Sequence, residues 1–483
     1  MTEHQQAVRV DDAPRLRGNL GVPAITLMVV AAAAPLGVMA GGAPLAIGLG
    51  NGTGAAGTFA LVAIAMLLFA VALAAMSRKI TNSGAFYAYV GHGLGPATGM
   101  AAAAISWLTY TSIQFGICAF MGVNTSAVVT VFGGPDIPWW VFTLIGVAVI
   151  AVLGYNKIDL TAKVLGIALA LEVLVVIIVD IVVLAHGGDH GISATGLTPS
   201  TIFPSASSFA ISAMLCGTAF IGFEATAVYR DEATDPDRTV PRATYLAIVF
   251  IGLFYCLSTW IISQGWPAAE LQDASLQGAP YLLGPAERWV GTLLSDGIQI
   301  LVATSLFACA LSLHNILARY NHVLGRSGVL HSSLGSVHPR HGSPHTASAL
   351  TTVVTLVLFV VAFGFGLDPV TEIFGWFAGL AALGFFTLLG LTCLSTVVFF
   401  ARTATTEKPW QTRILPSVGF VALLGLVLVT FWYFPDLVGK EPGFAYSMAL
   451  AVPVFAAVGA GAAVWLRRNR PERYANVVAL TQN

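Results

Sequence analysis

Two carboxylates stand in apolar surroundings, and they are where chemistry can first be sought. Glu172 lies in ALALEVLVVI (168–177), with only apolar neighbours, and Glu224 follows a Gly-Phe pair in FIGFEATAVY (220–229). A carboxylate turned toward lipid is costly, so intramembrane acids face a bundle interior and mark ion or proton pathways. Glu172 is therefore the first candidate for carrying a coupling proton; the alternative is a structural carboxylate hydrogen-bonded to a neighbouring helix. Glu224 is the second candidate, for proton coupling or gating; the alternative is a helix-cap or lid contact. Asp180 is placed near the outer end of its helix, in solvent.

Covalent chemistry has no comparable foothold. The chain has no Walker sequence, no HExxH, no GxSxG and no convincing nucleophile–base pair. That argues against an ATP-driven pump, a membrane hydrolase or any other enzyme, and no cofactor is implied. Cys118, Cys216, Cys256, Cys309 and Cys393 lie scattered in apolar runs without metal-ligand spacing and read as small buried residues. His338, His341 and His345 are interleaved with Pro339, Gly342 and Pro344, so no regular face gathers their rings and no metal site is assigned. The net charge of −1 gives no indication of nucleic acid as a partner.

The elements that must position the carboxylates are membrane helices. Hydrophobic residues make up 57% and charged residues 9% of the 483, against roughly 25% charged in a soluble domain. About 20 apolar residues cross the hydrocarbon core. Spans fall near 22–49, 54–76, 94–131, 138–154, 160–185, 205–229, 241–264, 292–324, 347–364, 371–400, 416–434 and 444–466. With both termini in the cytoplasm, these twelve spans place 20 of the 22 Lys and Arg residues inside and leave only Arg288 and Lys440 outside. The first apolar run has no cleavage pattern at a suitable distance and is read as a retained helix rather than a signal peptide. Only 5 of the 22 basic residues are Lys, beside abundant Ala, Gly and Val, which suggests a bacterial inner membrane.

Two spans are interrupted. Span 1 carries Pro35, Gly37, Gly41, Gly42 and Pro44; span 6 carries Gly217, Gly222 and Glu224. Interruptions at corresponding places in two halves are the best sequence pointer to a transporter site, although each glycine alone also suits close helix packing. Spans 3 and 8 are overlong, each above about 45 Å at 1.5 Å per residue. They too correspond if spans 1–5 and 6–10 are repeats.

FIGFEATAVYRDEATDPDRTVPRAT (220–244) resembles the amino acid–polyamine–organocation permeases, in which a GFE segment precedes an acidic stretch, an Asn/Asp-Pro and a Pro-Arg-Ala. TNSGAFYAYVGHGLGP (81–96) resembles the start of that family's span 3, ARYNHVLGRSGVLHSSLGSVHPRHGSPHTA (318–347) its span 8–9 junction, and AGG (40–42) its small-residue segment in span 1. The resemblance covers about residues 20–400. It implies an all-α integral membrane protein of LeuT-like fold, with 12 transmembrane helices in a 5+5 inverted repeat plus two accessory helices. The corresponding division is a cytoplasmic tail 1–20, repeats 21–186 and 205–400, accessory helices 416–466 and a cytoplasmic tail 467–483.

Carried over by position, the resemblance implies substrate contacts at Val38, Ala40, Gly41 and Gly42 of span 1, Thr218, Ala219, Phe220 and Ile221 of span 6, and Tyr110 and Gln114 of span 3. Ala40 stands where the family usually has Gly. Gly41–Gly42 and Ala219–Ile221 can offer backbone N–H and C=O groups to the carboxylate and ammonium of an amino acid, with Phe220 as an apolar lid. Tyr110 and Gln114 share a helix face and equally suit interhelical hydrogen bonds. Counted from Lys163, Glu172 falls where some members of that family hold a lysine in place of a sodium ion. The implied partners are an amino acid or related amine, a coupling proton and the bilayer. Sodium stays open through Ser312 on span 8. The mixed-charge segment with Asp231, Glu232, Asp235, Asp237, Arg230, Arg238 and Arg242 reads as an inner gate or solvated turn. In it, Asp235-Pro236 ends one helix and Thr239 with Pro241 starts the next. The reading is a secondary transporter that moves amino acids by alternating access with proton-coupled symport; the alternatives are an amino acid or polyamine exchanger and a non-transporting sensor. Tails of about 20 residues and paired breaks disfavour a sensor and a channel.

Overall fold

The computed structural model describes residues 20–80, 85–156, 162–224, 226, 233–326, 328–340, 342–403 and 407–482. Among the described residues the regular elements are all helices, with one isolated bridge between Leu20 and Ala233. The principal helices are α1 (Val22–Ala32), α2 (Ala55–Ser77), α3 (Pro96–Val131), α4 (Trp139–Tyr155), α5 (Ala162–Ala185), α6 (Ala206–Thr218), α7 (Pro236–Gln264), α8 (Thr292–Arg326), α9 (His345–Phe365), α10 (Gly375–Arg402), α11 (Leu415–Trp432) and α12 (Ala451–Asn469). Nine helical runs among the described residues are long and apolar enough to cross a membrane, the first running Val22–Ser77 through α1 and α2; α4 and α6 are shorter apolar helices. The chain is thus a multi-pass membrane protein.

The first helix breaks at the leading edge of the interruption that the sequence marks from Pro35 to Pro44. α1 stops at Ala32, and Ala34 takes up φ 47° and ψ 68°, the only positive-φ residue other than glycine among those described. Pro35 explains it: a proline ring disfavours helical geometry in the residue before it while suiting the first turn of a new helix. The AGG segment is not unwound. Val38–Gly42 forms a π-helical turn, and a second one follows at Ala46–Asn51. Such widened turns recur at functional sites.

The second break lies where it was sought. Ser205 caps α6 by accepting the Ser208 N–H at 3.0 Å, and the helix ends at Thr218 in a succession of turns to Glu224, with Gly222 at φ 112°. The next helix starts earlier than expected. Pro236 opens α7 and Thr239 N donates to Asp235 O at 2.7 Å, so Pro241 lies inside the helix rather than at its start. Proline is favoured at a first helical position, which Pro236 claims first. Arg230, Asp231 and Glu232 of the mixed-charge segment lie outside the described residues.

Helix α3, of 36 residues, is the central post and packs against α4, α8, α10 and α12. α1 packs on α5 and α7, and α6 on α10 and α2. Around this core, α9 and α11 turn Val360 and Val421 outward, 69% and 67% exposed. Apolar outer faces are what lipid requires. The C-terminal stretch also forms a helix, Pro471–Gln482, which seats Thr481 against Gly91 and Gly99.

Candidate functional site

A cavity of about 40 Å³ opens where the two breaks meet. The first break contributes Ala33, Ala34, Gly37, Val38 and Gly42, and the second Thr218 and Ile221. Ile113 and Ile117 of α3, Cys309 and Leu313 of α8, and Phe374 complete the wall. Phe374 ends the π-helical turn Pro369–Phe374 that opens α10; Asp368 caps it, accepting the Val370 and Thr371 N–H groups at 3.0 and 2.7 Å.

Two side-chain contacts flank the cavity along α3. On one side, one turn before Ile113, Tyr110 donates its hydroxyl to Glu224 Oε1. Glu224 is 4% exposed, and its Oε2 accepts the Gly222 N–H at 2.9 Å. Tyr320 packs on Tyr110, ring centroids 5.8 Å apart, and Tyr87 on Tyr320. On the other side, Phe120 stacks on Phe374 with centroids 5.0 Å apart and planes 13° from parallel. A Cβ added to Gly41 would lie 2.8 Å from the Phe120 ring and 3.1 Å from Phe374. Gly278, at φ 82°, brings its loop against Phe120 and the Ala40 carbonyl.

Glu172, 7% exposed, reaches from α5 to the first break and accepts the Leu36 N–H at 3.2 Å. It thereby caps the half-helix that Pro35 begins, whose first N–H groups have no partner one turn back. Tyr255 of α7 and Cys309 of the cavity wall lie within electrostatic reach of it. Asp180 is not in solvent, as its position near a helix end had suggested. It is 8% exposed between α5 and α7 and accepts the Ser258 hydroxyl at 2.6 Å, because α7 packs over that end of α5.

Of the ten contacts carried over from the resemblance, Val38, Gly42, Thr218 and Ile221 line the cavity. Ala40, Gly41 and Ala219 are buried behind it, and Tyr110 flanks it, hydrogen-bonded to Glu224. Gln114 turns into the α3–α8 seam instead, its Nε2 3.5 Å from Nδ1 of His314, whose Nε2 lies 2.8 Å from Ser348 Oγ. Phe220 packs toward Gly252 of α7, so Phe374 supplies the aromatic wall. Sequence reasoning did not assign Ala33, Ala34, Gly37, Ile113, Ile117, Cys309, Leu313 and Phe374 to the site. Pro35 was the available signal for the first three; Ile113 and Ile117 follow from Tyr110 by helical spacing.

The cysteines divide. Cys118, Cys216 and Cys393 are buried, whereas Cys256 and Cys309 are half-buried, Cys309 at the cavity; none is in a disulfide. His338 and His345 meet edge to face at 5.3 Å, both against Tyr155, and His341 lies outside the described residues. No group of three His, Cys, Asp or Glu that could hold a metal occurs among the described residues.

Residues 25–474 match the model of a family described as amino acid permease. The low-affinity putrescine importer PlaP of Escherichia coli (strain K12) is 24% identical over 370 residues, 75% of this chain and 77% of that one. The histidine permease HisP of Lactococcus lactis subsp. cremoris (strain MG1363) is 25% identical over 437 residues, 83% of this chain and 85% of its own length. Among solved structures, MhsT in complex with L-phenylalanine superposes with a TM-score of 0.54 at 14% identity, over 83% of this chain and 98% of that one. The fold is therefore that of LeuT-like transporters.

Proposed function

The chain belongs to the amino acid permease family, and from that premise we propose that it moves an amino acid by alternating access around the cavity between its two breaks. It is a transporter of an amino acid or amine and not an enzyme. The observation that carries the proposal is the coincidence of both breaks at one cavity, flanked along α3 by the Tyr110–Glu224 hydrogen bond on one side and the Phe120–Phe374 stack on the other. Unwound backbone at membrane depth is tolerated where it lines a cavity, and half-helix ends there suit the two charges of an amino acid. Leu36 N–H is held by Glu172, so we assign Gly37, next along the wall, to the substrate carboxylate. The carbonyls that end α6 near Thr218 take the ammonium.

For topology we propose twelve spans, with 21–186 and 205–400 as inverted repeats, 416–466 as accessory helices and both termini in the cytoplasm. Three ion pairs support it, each joining loops that this topology puts on one side: Arg78–Glu407 at 3.3 Å inside, Arg288–Asp189 at 3.3 Å and Lys440–Glu372 at 2.7 Å outside. Tyr110–Glu224 is then the inner gate and Phe120–Phe374 the outer one.

Coupling is assigned to a proton on Glu172. Protonation removes the charge that holds the start of the half-helix and lets this segment pivot. Exchange is the second reading, favoured by the same hydrogen bond: a carboxylate that only caps Leu36 N–H needs no proton. Uptake into proteoliposomes under an imposed inward proton gradient, for the wild type and Glu172→Gln, separates them. Accumulation lost in the variant while counterflow persists supports symport; gradient-independent exchange in both supports the antiporter.

A further inference from the structure

We infer that the substrate side chain is apolar and uncharged, unlike the diamine and the histidine that the names of two relatives carry; this rests on the cavity being the substrate site. The wall beyond the backbone groups is made by Val38, Ile113, Ile117, Ile221, Leu313 and Phe374. Two lining side chains carry heteroatoms. The Thr218 hydroxyl is spent on the Leu215 carbonyl at 2.7 Å, and the Cys309 thiol is a weak hydrogen-bonding group.

No carboxylate lines the space. Glu224 is satisfied by Tyr110 and the Gly222 N–H, and Glu172 is turned to Leu36. The half-helix ends can neutralise the carboxylate and ammonium common to all α-amino acids. A second ammonium, as in lysine, would then meet isoleucine and leucine, and a buried charge without a partner is strongly disfavoured. A diamine also lacks the carboxylate that the Gly37 end of the site calls for. Valine, leucine and phenylalanine present what this wall accepts, apolar surface withdrawn from water.

The test is competition for uptake of labelled leucine by the full chain in proteoliposomes, with valine, phenylalanine, lysine, histidine and putrescine as competitors. The expected result is competition by valine or phenylalanine, with lysine and putrescine weaker by about 100-fold or more, the scale of an uncompensated charge in an apolar membrane site. Lysine or putrescine taken up as well as leucine overturns the inference and leaves the transporter assignment standing. Absence of uptake and of thermal stabilisation by every compound in the panel overturns both. Ile117→Asp supplies a counter-charge and should raise lysine competition relative to leucine; unchanged selectivity in a folded Ile117→Asp protein counts against the inference.

Discussion

The Leu36 N–H donates to the Glu172 carboxylate at 3.2 Å, joining residues 136 positions apart and tying α5 to the start of the second half of the first helix. This bond predicts different outcomes for two substitutions. Glu172→Gln keeps an acceptor for Leu36 and should change stability by less than about 1 kcal/mol while abolishing gradient-driven accumulation. Glu172→Ala leaves a buried N–H unpaired and should cost about 1–3 kcal/mol as well. Thermal unfolding of the purified protein, read beside uptake, checks both.

Tyr110→Phe removes the hydroxyl from the Glu224 carboxylate and leaves a buried oxygen short of its partner. The expected loss is about 1–3 kcal/mol of stability, with faster exchange because the inner seal is weaker. Unfolding midpoints and counterflow rates report the two effects separately.

Gly41→Ala sets a methyl group 2.8 Å from Phe120 and 3.1 Å from Phe374. The stacked rings must part, at about 1–3 kcal/mol for overpacking, and the outer closure no longer seats. Uptake should fall much more than it does for Gly166→Ala, where nothing lies within 4 Å of the added carbon.

Ser258→Ala takes from Asp180 the hydroxyl it holds at 2.6 Å, between α5 and α7. A destabilisation of about 1–3 kcal/mol is expected, seen as a lower unfolding midpoint, and Ser258→Thr should restore most of it.

Much of this architecture is legible in the sequence because lipid imposes a simple demand: long apolar runs and few charges. The break at Gly222 and the burial of Glu172 and Glu224 follow from residue type alone. Within the interruption from Pro35 to Pro44, the constraint that Pro35 places on Ala34 decides the backbone, while Gly41 and Gly42 stay helical. Gly41 serves ring packing instead. Asp180 was misplaced because its burial depends on α7, a tertiary contact that leaves no local signature. Phe374 was out of reach for the same reason: only the fold shows which of 28 phenylalanines faces the space between two breaks.

The most direct test of the cavity as the substrate site uses Cys309 on its wall. In a protein whose other four cysteines are replaced by serine or alanine, a small methanethiosulfonate reagent should modify Cys309 and block leucine uptake, and saturating leucine should slow that modification. Modification at the same rate with and without leucine, leaving uptake intact, would contradict the account.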